Sequence, residues 1–529
     1  MMKMSDLSFP RSKIIIQSVL MLASAFFIVR LGYYAWKIIM TPAPVEYREG
    51  ATLLVTDFLM RGTNPFSLAS HPLMTNNYGL LYNLIVLPFA LFWGNTFAVH
   101  RSVSIIFILF SSALIVRTLR KSGAALPFSL LGGVLVAACL LFYVTPIARP
   151  DALGTFLFLV AVLVPWYRKF DAWGLVFSGV LSLLAFLAKP YFVLSAGIVA
   201  SFVFLFVSKK RALLYGIGVF GLLVLSLGIL NHFLEMYFFD VVINNMSNSA
   251  LSWGHLWEQL KWYVLICSPG MAILLLMWIG SPKKEGLLPD RLMMKDRLDL
   301  IHLDQPFFQA SVDYYGYAFL CAALVVVLFL GRHEGAYMTY FFQLITPLFV
   351  LVVFRQLDAS YRRGALTACL VIANLILVSF YVLYPNSLYS SDKKKWAQID
   401  QYVSSSHALL NSPISVSELV ALNRAPIDSG QTEYYYATTP YPDNFLAPSY
   451  SVVLAQGRNY LDMIRLNIKN RKYDRIMIRK FDVGYNAPFG YENIIPQYYV
   501  RVAEIDAPMP QTNQNWAIEI WEPKQDNNQ

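Results

Sequence analysis

Long apolar runs broken by short basic stretches constrain this chain more than any other feature. Runs of spanning length lie near 13–40, 97–116, 125–145, 150–167, 171–187, 190–208, 212–231, 261–279, 312–331, 337–354 and 362–384. At a rise of about 1.5 Å per residue, helices of this length can cross a hydrocarbon core of roughly 30 Å. Composition agrees: 57% of the 529 residues are hydrophobic and only 14% charged, where a soluble chain carries roughly 25% charged residues. These figures exclude a large soluble protein. The expectation is an all-α polytopic membrane domain of about eleven spans. The first run has no small-residue cleavage site and is too long for a signal h-region, so it reads as a retained helix.

A further run, 79–94 (GLLYNLIVLPFALFWG), is short for a span, and charge decides its placement. If it does not cross, Arg117, Arg120, Lys121, Arg168, Lys169, Lys209, Lys210, Arg211, Lys283, Lys284, Arg291, Lys295, Arg297, Arg355, Arg362 and Arg363 share the cytoplasmic side with Lys3, Arg11 and Lys13. If it crosses, all those short basic loops after it turn outward. Short cytoplasmic loops are the ones enriched in Lys and Arg, which favours the first arrangement. Residues 79–94 are therefore expected to lie along the membrane surface, as an amphipathic juxtamembrane helix of the first outer loop, 41–96. The N-terminus is then cytoplasmic and the C-terminus extracytoplasmic, in a bacterial inner membrane. The net charge of +10 is topogenic on this reading, because the basic residues alternate with apolar runs and form no nucleic-acid patch. All four cysteines (Cys139, Cys267, Cys321, Cys369) fall in apolar segments, so no disulfide framework or thiol metal site is expected in the C-terminal region.

With that topology, ionisable groups collect on one side. The first outer loop holds Glu46, Arg48, Glu49, Asp57, Arg61 and His71, with Asn77 and Tyr78 just before the juxtamembrane helix. Arg149 and Asp151 stand at a span boundary in TPIARPD, Lys189 opens another in LAKPY, and Arg332, His333 and Glu334 share the turn GRHEG. A charge at membrane depth is costly, so Arg149, Asp151 and Lys189 are functional candidates. Each alone also has a bland reading, as a helix-end ion pair or a solvated loop. Their convergence suits a site that binds an anionic head group and performs acid–base work. No phosphate-cradling glycine loop occurs, so ATP-driven transport has no support.

These residues resemble the GT-C superfamily of membrane glycosyltransferases, which includes aminoarabinose and mannosyl transferases and protein O-mannosyltransferases. The similar elements are VEYREG after the first helix, RGTNPF, NNYGLLYNLIVLPFALFWGNTF, the Arg101 of VHRSVS, ARPDALG at 148–154, FLAKPYFVL at 186–194 and GRHEGAYMTYFFQLITPL at 331–348. They spread over about 350 residues, and their order carries more than any one of them. The resemblance implies a GT-C-like fold and a polyprenyl-phosphate sugar donor, with a glycan, lipid or protein acceptor in the cell envelope. It places the acidic position on Glu49 or Glu46, with Glu49 slightly preferred; the family usually has Asp there. One such carboxylate takes the acceptor proton and Asp151 orients the acceptor. Arg149, Lys189, Arg332 and Arg101 would face the donor phosphate, while His333, Glu334, Tyr78 and Asn77 would contact sugar, acceptor or metal. A divalent cation (Mg or Mn) is compatible with these groups, but no ligand spacing points to one. A phosphate leaves without protonation, so one base suffices and inversion is expected.

Composition changes near 385, dividing the chain into a membrane domain, 1–384, and a small soluble extracytoplasmic α/β domain, 385–529. SDKKKWAQIDQYVSSS and LDMIRLNIKNRKY read as helices, and YDRIMIRKF, YYVRVAEID and WAIEIWEP as strands. The tyrosines of 434–441 could stack on sugars, although such a run is more often structural. Two other classes compete with a transferase. A lipid-linked glycan flippase would show span repeats and midplane polar groups, and a glycan polymerase or ligase would carry its large outer loop late in the chain.

Overall fold

The computed structural model describes residues 9–67, 69, 77–142, 145–243, 251–265, 306–333, 338–357, 372–373, 376, 388–427, 448–480, 490–509 and 514–525. Apart from Glu49–Met60, the helices up to residue 357 fall on the apolar runs. In chain order they are α1 (Phe9–Met40), α2 (Glu49–Met60), α3 (Leu81–Trp93), α4 (Phe97–Lys121), α5 (Leu126–Leu141), α6 (Asp151–Tyr167), α7 (Ala172–Ala188), α8 (Leu194–Phe206) and α9 (Lys209–Phe233). After a helical segment at 253–265 come α10 (Pro306–Leu328) and α11 (Thr346–Leu357). Among the described residues four helices are long and apolar enough to cross a membrane by length and composition alone: Ile14–Met40, Phe97–Lys121, Lys209–Phe233 and Tyr314–Arg332. The other apolar helices are shorter. The rest of the expected span 261–279, and nearly all of 362–384, lie outside the described residues, as do Cys267 and Cys369.

Burial sorts the helices into two populations. α5 and α6 form the centre: Leu131, Val136, Ala138, Cys139 and Leu140 of α5, and Phe158, Leu159, Val162 and Leu163 of α6, are fully buried. α1 and α9 sit at the rim and present Leu22, Val29, Leu213, Ile217 and Phe220 outward, each more than half exposed. Apolar exposure on that scale is unfavourable in water and ordinary against lipid tails. α3 also leaves one apolar face open (Leu84, Phe89, Leu91, Phe92, Trp93) while burying Tyr82, Asn83, Val86 and Ala90. Its 13 residues reach about 20 Å. Asn83 Nδ2 donates to Thr52 O and Thr56 Oγ1, both at 2.9 Å, which fastens α3 to α2.

The C-terminal region is a four-stranded sheet with helices on both faces. Its elements are α12 (Leu388–Ser405), β1 (Leu409–Leu410), α13 (Val416–Ala421), α14 (Pro448–Lys469), β2 (Arg475–Arg479), α15 (Tyr491–Tyr498), β3 (Tyr499–Met509) and β4 (Gln514–Pro523). The strand order is β1-β2-β4-β3, with β1 parallel to β2 and the other pairs antiparallel. Alternation along β2 divides the core. Met477 packs with Ile399 and Val403 of α12, whereas Ile476 and Ile478 pack with Leu461, Ile464 and Ile468 of α14. Opposite faces of a strand serve two helix layers, as its period of two requires. All three strands read from the sequence are present; α14 begins earlier than the segment read as a helix.

Candidate functional site

The segment after α1 turns back at Pro44–Arg48 into α2, and the loop 145–150 turns into α6. Between them stands Arg101, fully buried near the start of α4. Arg101 donates through Nε to Glu49 Oε1 at 2.8 Å and through Nη2 to Glu49 Oε2 at 2.6 Å. Its other hydrogens go to the carbonyls of Ile38 (3.0 Å), Thr41 (2.5 Å) and Ala43 (2.9 Å). This fork uses the planar geometry that only arginine offers. Glu49 accepts two further bonds, from Val45 N at 2.8 Å and Ala148 N at 2.9 Å. A carboxylate has about four lone-pair sites, and four donors fill them. Glu49 and Arg101 thus tie the end of α1, the first loop, α4 and the 145–150 loop into one buried knot.

Glu46 is also fully buried, yet its bonds are local: Arg48 N to Oε2 at 2.9 Å and Arg48 Nε to Oε1 at 2.7 Å. Two donors leave it accepting capacity that Glu49 lacks. Glu46 and Arg48 lie close enough to Tyr78 and Arg149 for their charges to act on both. The second carboxylate, Asp151, accepts from Lys189 Nζ at 3.0 Å and Gln343 Nε2 at 3.1 Å, both on Oδ1. Arg149 Nε lies 3.3 Å from Oδ2. Among the described residues, Arg149 Nε and Nη1 and Asp151 Oδ2 are buried without a hydrogen-bond partner. Buried polar atoms are nearly always satisfied, so three unsatisfied atoms on one ion pair are an anomaly of the kind that marks ligand sites.

Aromatic rings wall this cluster. The Tyr78 ring faces the Arg149 guanidinium at 5.0 Å and Lys189 Nζ at 5.2 Å, and Tyr191 and Tyr340 face Lys189 Nζ at 5.2 and 5.8 Å. Ring faces attract cations, which helps hold like charges together here. Tyr191 OH donates to Gln343 Oε1 at 2.5 Å, orienting the amide so that its NH2 meets Asp151. Gln343 sits in a single π-helical turn, Phe341–Ile345; such turns recur at functional sites. Burial pulls the Lys189 ammonium down to about 8; Asp151 resists that shift and Arg149 adds to it. Burial likewise raises the Tyr78 phenol, which stays protonated near neutral pH. The position of Tyr78 depends on Gly79: a Cβ there would lie 1.8 Å from Leu187 O, so only glycine lets this loop approach the end of α7.

The structure therefore brings together Glu46, Asp151, Arg149, Lys189 and Tyr78, and adds Arg48, Tyr191, Tyr340 and Gln343, which sequence reasoning did not single out as site residues. Arg101 faces Glu49 and backbone carbonyls and has no donor to spare. Arg332 stacks on Trp253, its guanidinium 4.0 Å from the ring centroid, and His333 bridges Leu251. Burial and the neighbouring Arg332 push the His333 imidazole below its ordinary value, so it is neutral near pH 7. Asn77 is buried beside Tyr78. Glu334, His71 and the tyrosines of 434–441 lie outside the described residues. Among the described residues no three His, Cys, Asp or Glu side chains gather as a metal-ligand set. One signal for the missed tyrosines was present, since Tyr191 and Tyr340 lie inside the two motifs carrying Lys189 and Gln343.

A buried helix bundle joined to a small α/β region is a GT-C-like fold. The chain is similar in structure to ArnT from Cupriavidus metallidurans. It has a TM-score of 0.57 and 10% identity to the form bound to undecaprenyl phosphate, and 0.58 and 11% to the apo form. Each comparison covers 94% of this chain and 97% of that one. A weaker likeness, with a TM-score of 0.45 and 12% identity, is to the Archaeoglobus fulgidus oligosaccharyltransferase, covering 95% of this chain and 74% of that one. No family model matches the sequence, and no curated protein matches it.

Proposed function

We propose that the chain is an integral membrane glycosyltransferase that moves a sugar from a polyprenyl-phosphate donor to a cell-envelope glycan, lipid or protein. The observation that carries this reading is the Arg149–Asp151–Lys189 cluster, with its buried, unsatisfied guanidinium hydrogens beside the Glu46 carboxylate. Arg149 and Lys189 suit a phosphate, since charge-assisted bonds to its oxygens would satisfy the idle donors. The similar ArnT structure, determined with undecaprenyl phosphate, supports this donor class. Arg48 and Lys189 keep 13% and 12% of their side chains exposed and mark the side from which the cluster is reached.

In the reaction we assign, the acceptor hydroxyl oxygen bonds to the anomeric carbon as its proton passes to Glu46. The bond from that carbon to the phosphate oxygen breaks, and the oxygen leaves with the electron pair. Arg149, Lys189 and Arg48 stabilise the charge that develops there. One direct displacement inverts the anomeric centre. Glu46 is the base in preference to Glu49, because the four donors on Glu49 leave it no site for a proton. Asp151, held by two cations and the Gln343 amide, orients the acceptor. We place the first loop, α2, α3 and the 385–529 domain on the outer face of a bacterial inner membrane, where the donor's head group is exposed.

The test is to incubate membranes containing the chain with a radiolabelled polyprenyl-phosphate sugar. We expect label in a membrane-bound or glycan product. Label that crosses the bilayer of reconstituted vesicles without changing its linkage would instead establish a flippase.

A further inference from the structure

We infer that the C-terminal domain positions the catalytic loop of the proposed transferase, through Tyr47 and through a contact between Gly50 and Val416. The inference rests on the reading of Glu46 as base. Tyr47 lies between Glu46 and Arg48 in sequence, and it packs against the domain's hydrophobic cluster, whose members include Ile399, Val403 and Leu409. The Arg48 guanidinium covers the same ring at 4.8 Å from its centroid. Arg48 in turn holds both oxygens of Glu46. The base is thus linked to the soluble domain by one aromatic side chain and one ion pair.

The second contact stands on the other side of the loop. Gly50 is in the first turn of α2, where alanine would favour a helix by about 1 kcal/mol. A Cβ at Gly50 would lie 2.8 Å from Val416 Cβ and 3.1 Å from Ser417 N, at the start of α13. Val416 is fully buried and shares a core with Leu54, Val55 and Phe66 of the first outer loop. Arg61 Nη2 donates to Asn423 Oδ1 at 2.7 Å just beyond that helix. The domain therefore grips α2 along its length and meets it most tightly one residue after Glu49. Reacting groups displaced by about 1 Å lose on the order of 100-fold in rate, so these contacts set catalysis without touching substrate.

Gly50→Ala and the double variant Gly50→Ala/Val416→Gly test this, measured by transfer kinetics and by amide hydrogen exchange over residues 45–50. We expect Gly50→Ala to lower kcat about 10- to 100-fold with donor KM little changed, and to speed exchange of the Val45 and Arg48 amides. Removing the Val416 side chain should restore much of both. A wild-type kcat together with unchanged exchange in Gly50→Ala overturns the inference, as does a uniform loss of folded protein at constant kcat. A wild-type chain with no transferase activity would sink the functional reading; the exchange data would still decide whether the domain holds the loop.

Discussion

Glutamine at position 49 separates the structural carboxylate from the proposed base. In the wild type, Glu49 is fully buried and receives four hydrogen bonds, two of them from a fully buried guanidinium. Glutamine presents one oxygen and one NH2, so two of the four donors would face another donor, and Arg101 would lose the carboxylate it pairs with. Breaking a buried ion pair on one side costs roughly 3–5 kcal/mol, comparable with the whole stability margin of many domains. Glu49→Gln should therefore lower folded yield and thermal midpoint in detergent. In Glu49→Gln/Arg101→Met no unpaired charge remains, and part of the stability should return. Glu46→Gln should behave differently: its amide oxygen can still accept from Arg48 N, so folding should survive, while loss of the proposed base should cost about 10²- to 10⁴-fold in transfer. Fluorescence-detected gel filtration and a melting curve, read beside the transfer assay, compare the three. A Glu49→Gln protein that folds and melts like the wild type yet transfers nothing would refute this argument and return the base to Glu49.

Further outcomes follow from the same cluster. Arg149→Ala should raise donor KM about 10- to 100-fold, the worth of one lost charged hydrogen-bonding group, with little change in melting because Lys189 still pairs with Asp151; unchanged KM would remove the phosphate assignment. The low value of Lys189 means that its ammonium loses its proton as pH rises through about 8, so kcat/KM should fall on that alkaline side. Lys189→Arg, always charged, should move that limb upward, and a limb that stays in place assigns it elsewhere. Gly79→Ala should lower kcat at least tenfold by forcing the backbone at position 79, and Tyr78 with it, away from the end of α7; a wild-type rate would show that the tyrosine wall is dispensable.

Hydropathy made the apolar helices legible because each carries a continuous apolar run, although among the described residues only four of them reach a full spanning length. The strands of the C-terminal sheet were legible because Arg475–Arg479 and its neighbours alternate cleanly between two faces. The candidate site was legible in residue type and only partly in role. Sequence placed Glu46 and Glu49 three residues apart without saying which faces inward to Arg101, because that choice is made by α4, 52 residues away from Glu49. Gln343 reaches Asp151 across 192 residues, and a polar side chain in the apolar FFQLI run gives no hint of that partner. Arg332 shows the converse: charge near a helix end drew attention, while its observed neighbour is the indole of Trp253.

The aromatic-walled cluster with its neighbouring loop holds three cations (Arg48, Arg149, Lys189) and two carboxylates (Glu46, Asp151), a surplus of one positive charge. On the proposed reaction, a lipid phosphodiester donor carries one negative charge and neutralises that surplus. The lipid phosphate left behind is a monoester, with about −1.5 to −2 at neutral pH. The same groups that pull charge onto the departing oxygen then hold the spent carrier more tightly than the loaded one. Turnover in such an enzyme is set by surrender of the carrier, and free lipid phosphate should compete with the donor at concentrations below the donor's own KM.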